Sequence, residues 1–270
     1  MQDKDALATL AWLVEAGADE AAGENPVNRL TAKPVAAAVS PNPVPLAPRA
    51  APMNVASSSG DPIGNAMAVA AAATSLVELK AAMEAFDASA LKRTATNTVF
   101  ADGTAAGRVM FIGEAPGRDE DRIGKPFVGR AGQLLDKMLA SIGLDRGRNC
   151  YITNVINWRP PDNRDPSPEE AAVCLPFLRR HIELANPGLI VLLGAVAARH
   201  VMGNTEGIMK TRGRWMEYRV GNAMVPVMPA LHPAYLLRQP AHKRLAWRDL
   251  QAVAARMESL GLPEPAVRSN

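Results

Sequence analysis

A chain of 270 residues with 48% hydrophobic side chains can bury a sizeable core, in one large domain or two small ones. Its two cysteines, Cys150 and Cys174, are too few for a disulfide scaffold or a four-cysteine metal site. Acids at Asp3 and Asp5 precede any apolar stretch, and no run is long enough to span a bilayer, so neither a secretory signal nor a membrane anchor is expected. The net charge of +3 is uneven: residues 1–75 hold four basic and seven acidic side chains, leaving 26 and 20 in 76–270. Across 210–248, Lys210, Arg212, Arg214, Arg219, Arg238, Lys243, Arg244 and Arg248 face only Glu217, a balance that suits a polyanion-binding face.

In chain order, residues 5–17 form an amphipathic helix with Leu7, Leu10, Leu13 and Val14 on one side, within an N-terminal segment 1–20. Residues 21–74 follow as an Ala/Pro-rich linker, with six of the 22 prolines between Pro34 and Pro52. A helix is expected from Ser75 to Phe86. Beyond it, strands at 108–112, 151–155, 189–193 and 225–230 alternate with helices at 130–142, 168–185, 194–202 and 240–259. Ser167 and Pro168 suit the cap and first turn of the third of these helices. Apolar strands separated by helices point to a parallel sheet covered on both faces. The expected fold is α/β: a three-layer α/β/α sandwich around a mostly parallel four-stranded sheet, spanning 75–260, with 261–270 as a tail.

Three polar clusters fall just after expected strands, where open α/β sheets place ligands. The first is Gly113-Glu114-Ala115-Pro116-Gly117, running on to Phe127, a single large apolar ring in a polar loop. The second is Thr153-Asn154 with Trp158-Arg159-Pro160-Pro161. The third is His232-Pro233-Ala234-Tyr235-Leu236-Leu237-Arg238.

These motifs, taken in order, closely resemble the family 4 uracil-DNA glycosylases of bacteria and archaea. The matching residues are 113–117 with Glu120-Asp121, Pro126-Phe127-Val128-Gly129-Arg130-Ala131-Gly132, Tyr151-Ile152-Thr153-Asn154, Arg159-Pro160-Pro161 with Asn163-Arg164, and 232–238. Thr94-Ala95-Thr96-Asn97 also matches, and the likeness covers roughly 75–255. It implies a monofunctional DNA N-glycosylase, acting in the cytosol or nucleoid, that extrudes uracil, hydrolyses its bond to deoxyribose and starts base excision repair. Uracil-containing DNA is then the partner, free uracil the product, a monomer the expected state, and a partner protein for the N-terminal helix an open possibility. Phe127 is expected to stack on the base, and Asn154 to read its Watson–Crick edge, with Ala115 and Gly117 beside them. His232 is expected to donate to the leaving uracil O2, and Glu114, supported by Glu120, to handle water or the cationic sugar. Leu236 and Leu237 are the expected wedge in a loop, and Arg159, Arg238, Lys243 and Arg244 the phosphate contacts. Gly117, Gly129 and Gly132 are expected to let backbone approach the substrate.

Two departures stand out. Ala115 occupies the place of an Asp in other uracil glycosylases, as it does in family 4. The family's [4Fe–4S] cysteines align with Ser89, Lys92, Trp158 and Cys174, so only Cys174 remains of that set and no cluster is expected. Two rivals to the leading reading are a lesion- or abasic-site-binding protein with little turnover and a glycosylase for another deaminated base.

Overall fold

A computed structural model describes residues 61–203 and 205–263. The expected N-terminal helix, most of the linker and most of the tail lie outside the described residues. Six strands form one mixed sheet in the order β1-β3-β2-β4-β6-β5: β1 (Ala101–Gly103), β2 (Val109–Gly113), β3 (Tyr151–Asn154), β4 (Leu189–Leu193), β5 (Met216–Val220) and β6 (Ala223–Ala230). The four inner strands are parallel, whereas β1 and β5 pair antiparallel at the edges. The inner strands are those expected. Every residue of β2, β3 and β4 is buried, as strands covered on both faces require. The two edge strands raise the expected four to six. They are short or alternate in burial, so they carry no continuous apolar run.

Nine helices flank the sheet among the described residues: α1 (Pro62–Ala72), α2 (Leu76–Ala85), α3 (Arg118–Ile123), α4 (Arg130–Ala140), α5 (Pro168–Ala185), α6 (Ala195–Met202), α7 (Ile208–Thr211), α8 (Pro233–Arg238) and α9 (Lys243–Ser259). One face packs against α1, α2, α5 and α6 through Leu79, Met83, Phe177, Ile182 and Ala197; the other packs against α4 and α9 through Leu135, Leu139, Val253 and Met257. Three layers result, and no described helix is long and apolar enough to cross a membrane. The α5 bounds match the expected ones because Ser167 Oγ accepts from Glu170 N while the Glu170 carboxylate accepts from Ser167 N.

Helix α1 corrects the expected linker boundary at 74. Asp61 Oδ1 accepts from Ile63 N at 3.0 Å, Pro62 sits in the first turn, and Ala66 and Ala70 are buried in the core shared with α5. Alanine-rich composition reads as linker beside a Pro tract, yet alanine is also the best helix former.

All four parallel strands end at the same edge of the sheet. The chain leaves β2 at Gly113, β3 at Asn154, β4 at Leu193 and β6 at Ala230. β2 lies between β3 and β4, so successive connections diverge there, and a crevice opens at that point.

Candidate active site

Gly113 and Asn154 are register partners at the ends of β2 and β3. A Cβ on Gly113 would collide with both Asn154 Oδ1 and the Phe127 ring tip, so the amide and the ring meet over this glycine. The Phe127 centroid lies 5.4 Å from that of His232, with the planes tilted by 32°. One ring, one amide and one imidazole thus converge. Asn154 is buried, and its Oδ1 has no hydrogen-bond partner among the described residues. An unpaired buried acceptor costs about 1–3 kcal/mol.

His232 caps α8: its Nδ1 accepts from Ala234 N at 3.1 Å, so the neutral ring carries its proton on Nε2. Burial, with a smaller contribution from the Arg238 charge, lowers its pKa to about 4, and the ring is neutral at physiological pH. Behind it the chain turns through Gly194 at φ 97°, where a Cβ would stand 3.2 Å from His232 Cβ.

Beside these groups opens a cleft of about 400 Å³, lined among others by Glu114, Ala115, Gly117, Asp165, His232 and Arg238. Burial raises the Glu114 pKa, Asp165 adds to the rise, and Arg199 opposes it. Glu120, expected as Glu114's catalytic support, has other work. Its Oε1 accepts from Val128 N and Gly129 N at 2.9 Å, and its Oε2 from Gly117 N at 3.1 Å. It ties the 113–117 loop to the 126–130 loop. The close approaches expected of Gly117 and Gly129 are therefore toward Glu120, and that of Gly132 is toward the Phe127 carbonyl. Asp121 is likewise not a solvated charge; it is buried and accepts from Thr96 N and Asn97 N at 2.8 and 3.0 Å.

Phe127 has φ 54°, a strained conformation for an aromatic residue. Arg146 holds it there, donating to the carbonyls of Pro126 at 3.0 Å and Phe127 at 2.9 Å. The same guanidinium is neutralised by Asp102 at 3.1 Å and Asp136 at 2.7 Å. Neither Arg146 nor Asp102 was singled out from the sequence, and no motif joins residues 44 positions apart. Asp165 also went unnoticed as a neighbour of the cleft, and Tyr235, though named in the third cluster, was given no role there.

The expected DNA-contact residues separate. Leu236 and Leu237 belong to helix α8, not to a loop: Pro233 occupies its first turn and His232 its cap. Leu236 is 1% exposed and packs in the core, so it is withdrawn as a wedge, whereas Leu237 is 38% exposed. Arg238 reaches the cleft, and Lys243 and Arg244 are exposed at the start of α9. Arg159 lies in a neighbouring groove with Arg118 and Arg130, and its Nε donates to Asn163 Oδ1 at 2.8 Å. Arg212 is removed from the basic surface by Asp249, one position beyond the 210–248 stretch, whose carboxylate its guanidinium grips.

The positions aligned with cluster cysteines do not fit an iron–sulfur group. Ser89 is buried, Lys92 Nζ donates to the Glu84 carbonyl, and Trp158 is fully buried, its Nε1 donating to Thr98 Oγ1 at 3.0 Å. The Trp158 ring packs with Phe86 and Phe177 at 6.3 Å. Burial pushes the Cys174 thiol up to about 12.

Comparison with known proteins joins these features to one family. The model of the Uracil DNA glycosylase superfamily matches residues 100–251. A Type-4 uracil-DNA glycosylase of Thermotoga maritima is 43% identical over 159 residues, 58% of this chain and 81% of the relative. One from Archaeoglobus fulgidus is 45% identical over 154 residues, 56% of this chain and 77% of the relative. A third, from Sulfurisphaera tokodaii, is 39% identical over 163 residues, 58% and 74% of the two chains.

Proposed function

The chain belongs to the uracil DNA glycosylase superfamily, and from that premise we propose that it is a monofunctional uracil-DNA glycosylase. It turns uracil out of DNA and hydrolyses the N-glycosidic bond, leaving an abasic site and free uracil. The observation that carries the reading is the convergence of Phe127, Asn154 and His232 at the end of β2.

Extruding the nucleotide costs a few kcal/mol of stacking and pairing, and a preformed pocket offsets part of it. Phe127 offers a flat face already locked by Arg146. The Asn154 Oδ1 accepts from uracil N3–H, and its amide N–H donates to O4; cytosine has neither match. As the bond breaks, negative charge gathers on the base and positive charge on the sugar. His232 donates from Nε2 to O2, neutral throughout, so no proton need move for the anion to be stabilised. Glu114, as carboxylate, faces the sugar from the cleft, orienting water or countering the oxocarbenium charge. None of the residues lining the cleft is a lysine, and Lys125 pairs with Asp102 at 3.1 Å, which favours hydrolysis over Schiff-base chemistry. No step is assigned to an iron–sulfur cluster, since Ser89, Lys92 and Trp158 leave Cys174 as one thiol of the aligned set.

The test is multiple-turnover release of free uracil from a duplex with one uracil. Release continuing past one equivalent supports the proposal. A stoichiometric burst without turnover makes the chain a lesion binder, and release of only another modified base from a matched panel changes the substrate.

A further inference from the structure

Trp247 has no part in the excision chemistry, yet it is 44% exposed on α9. Residues 244, 247, 248 and 251 share one helix face, and all four are exposed: Arg244, Trp247, Arg248 and Gln251. The acid within this stretch, Asp249, is buried on the opposite side and gripped by Arg212. The exposed face is therefore cationic around an aromatic ring.

Beside Trp247 lies an apolar hollow of about 170 Å³. Leu134, Met138, Leu236 and Leu250 line it, with Lys137 and Lys243 among its other residues. Short helix α8 separates it from the cleft. Leu236 lines the hollow, Arg238 lines the cleft, and Leu237 is exposed between them in sequence. Apolar walls beside an indole, with ammonium groups alongside, suit a flat heterocycle carrying phosphates on either side. A peptide side chain would need the apolar walls but not the cations, and the hollow continues the surface proposed to carry DNA.

We propose that this hollow is a second nucleobase site, in which an unpaired base of the DNA strand stacks on Trp247 while Lys137, Lys243 and Arg244 take the flanking phosphates. The proposal rests on DNA being the substrate and adds a preference for single-stranded or locally opened DNA. Base–aromatic stacking tolerates any sequence, so the site reads no base identity.

The test titrates the full-length protein with a labelled, uracil-free oligothymidylate and with a duplex of the same length. Trp247→Ala is expected to weaken single-strand binding about 10-fold or more. Trp247→Phe should stay within about threefold of wild type, duplex binding should fall less, and the excision kcat at saturating substrate should be unchanged. Because Trp247 is nearly half exposed, both variants should keep the wild-type melting temperature. Unaltered oligothymidylate affinity in Trp247→Ala, as a protein-docking hollow would give, overturns the proposal. So does a loss that phenylalanine fails to restore. Since the probe contains no uracil, Trp247-dependent binding without excision would sink the catalytic reading alone, and excision without Trp247-dependent binding would sink this one alone.

Discussion

Asn154 and Trp158 are four residues apart and both buried, yet their surroundings obey opposite rules. Around Trp158 local preferences are met: the indole N–H has Thr98, the ring packs on Phe86 and Phe177, and the buried Leu91 and Cys174 belong to the same apolar core. Around Asn154 preferences are violated. A buried carbonyl oxygen lacks a partner, a phenylalanine stands at positive φ, and an imidazole is held neutral far below its usual pKa. Each of the first two costs about 1–3 kcal/mol. Such costs persist only where neighbours over-determine the geometry, here Arg146 on the Phe127 carbonyl and Glu120 across two loops. The first region stabilises the fold. On the proposed function, the second keeps donors, an acceptor and a flat face ready for a base that completes them.

The contrast breaks most sharply if the Trp158 block is emptied. Trp158→Ala should lower unfolding free energy by about 3–5 kcal/mol, as for other large-to-small core changes, with excision per folded molecule little altered. Urea titration alongside a rate normalised to folded protein checks both. A selective loss of rate with intact stability would show that the block serves the site directly. His232→Ala should do the reverse: kcat falls about 10²–10³-fold, as on losing one preorganised donor to a developing anion, while stability falls only by the roughly 1 kcal/mol of the lost α8 cap. Near-normal single-turnover rates would remove His232 from the chemistry.

A smaller effect tests the Asn154 amide. Asn154→Asp keeps the shape but replaces the donor amide, so uracil release should fall and cytosine release should appear, a change in preference of about 1–3 kcal/mol. Competition between single-uracil and single-cytosine duplexes measures it. An unchanged preference would mean that the Asn154 amide does not read the base.

These regions were unequally legible in the sequence. The four central strands announced themselves as continuous apolar runs, and α5 by its cap, its first-turn proline and Glu170. Phe127, Asn154 and His232 were visible because they follow strands in motifs of unusual composition. The braces were not. Asp121 meets Thr96 across 25 positions and Arg146 meets Asp102 across 44, and neither spacing leaves a periodic trace. The loop that the resemblance implied for Leu236 and Leu237 is a helix: Pro233 in its first turn starts α8 and Leu236 turns inward. Glu120 was expected to support Glu114 at the substrate, since charge in sequence does not reveal which carboxylate the backbone will claim.

The smallest expected effect separates those two glutamates. Burial and Asp165 raise the Glu114 pKa, so its carboxylate is the form lost first as the solution is acidified. If that carboxylate serves the sugar or the water, log kcat should fall on the acid side through the raised pKa, and Glu114→Gln should be slow and lack this limb. Asp165→Asn removes a repelling charge, lowers the Glu114 pKa and moves the limb to more acid pH. Arg199→Gln removes an attracting charge and moves it the other way. Both displacements should be small, because each charge is secondary to burial. Glu120→Gln should leave the position of the limb alone and lower the rate through a slackened loop, since Glu120 is fixed by the N–H groups of Gly117, Val128 and Gly129. A limb that follows Glu120 rather than Asp165 and Arg199 would exchange the two roles.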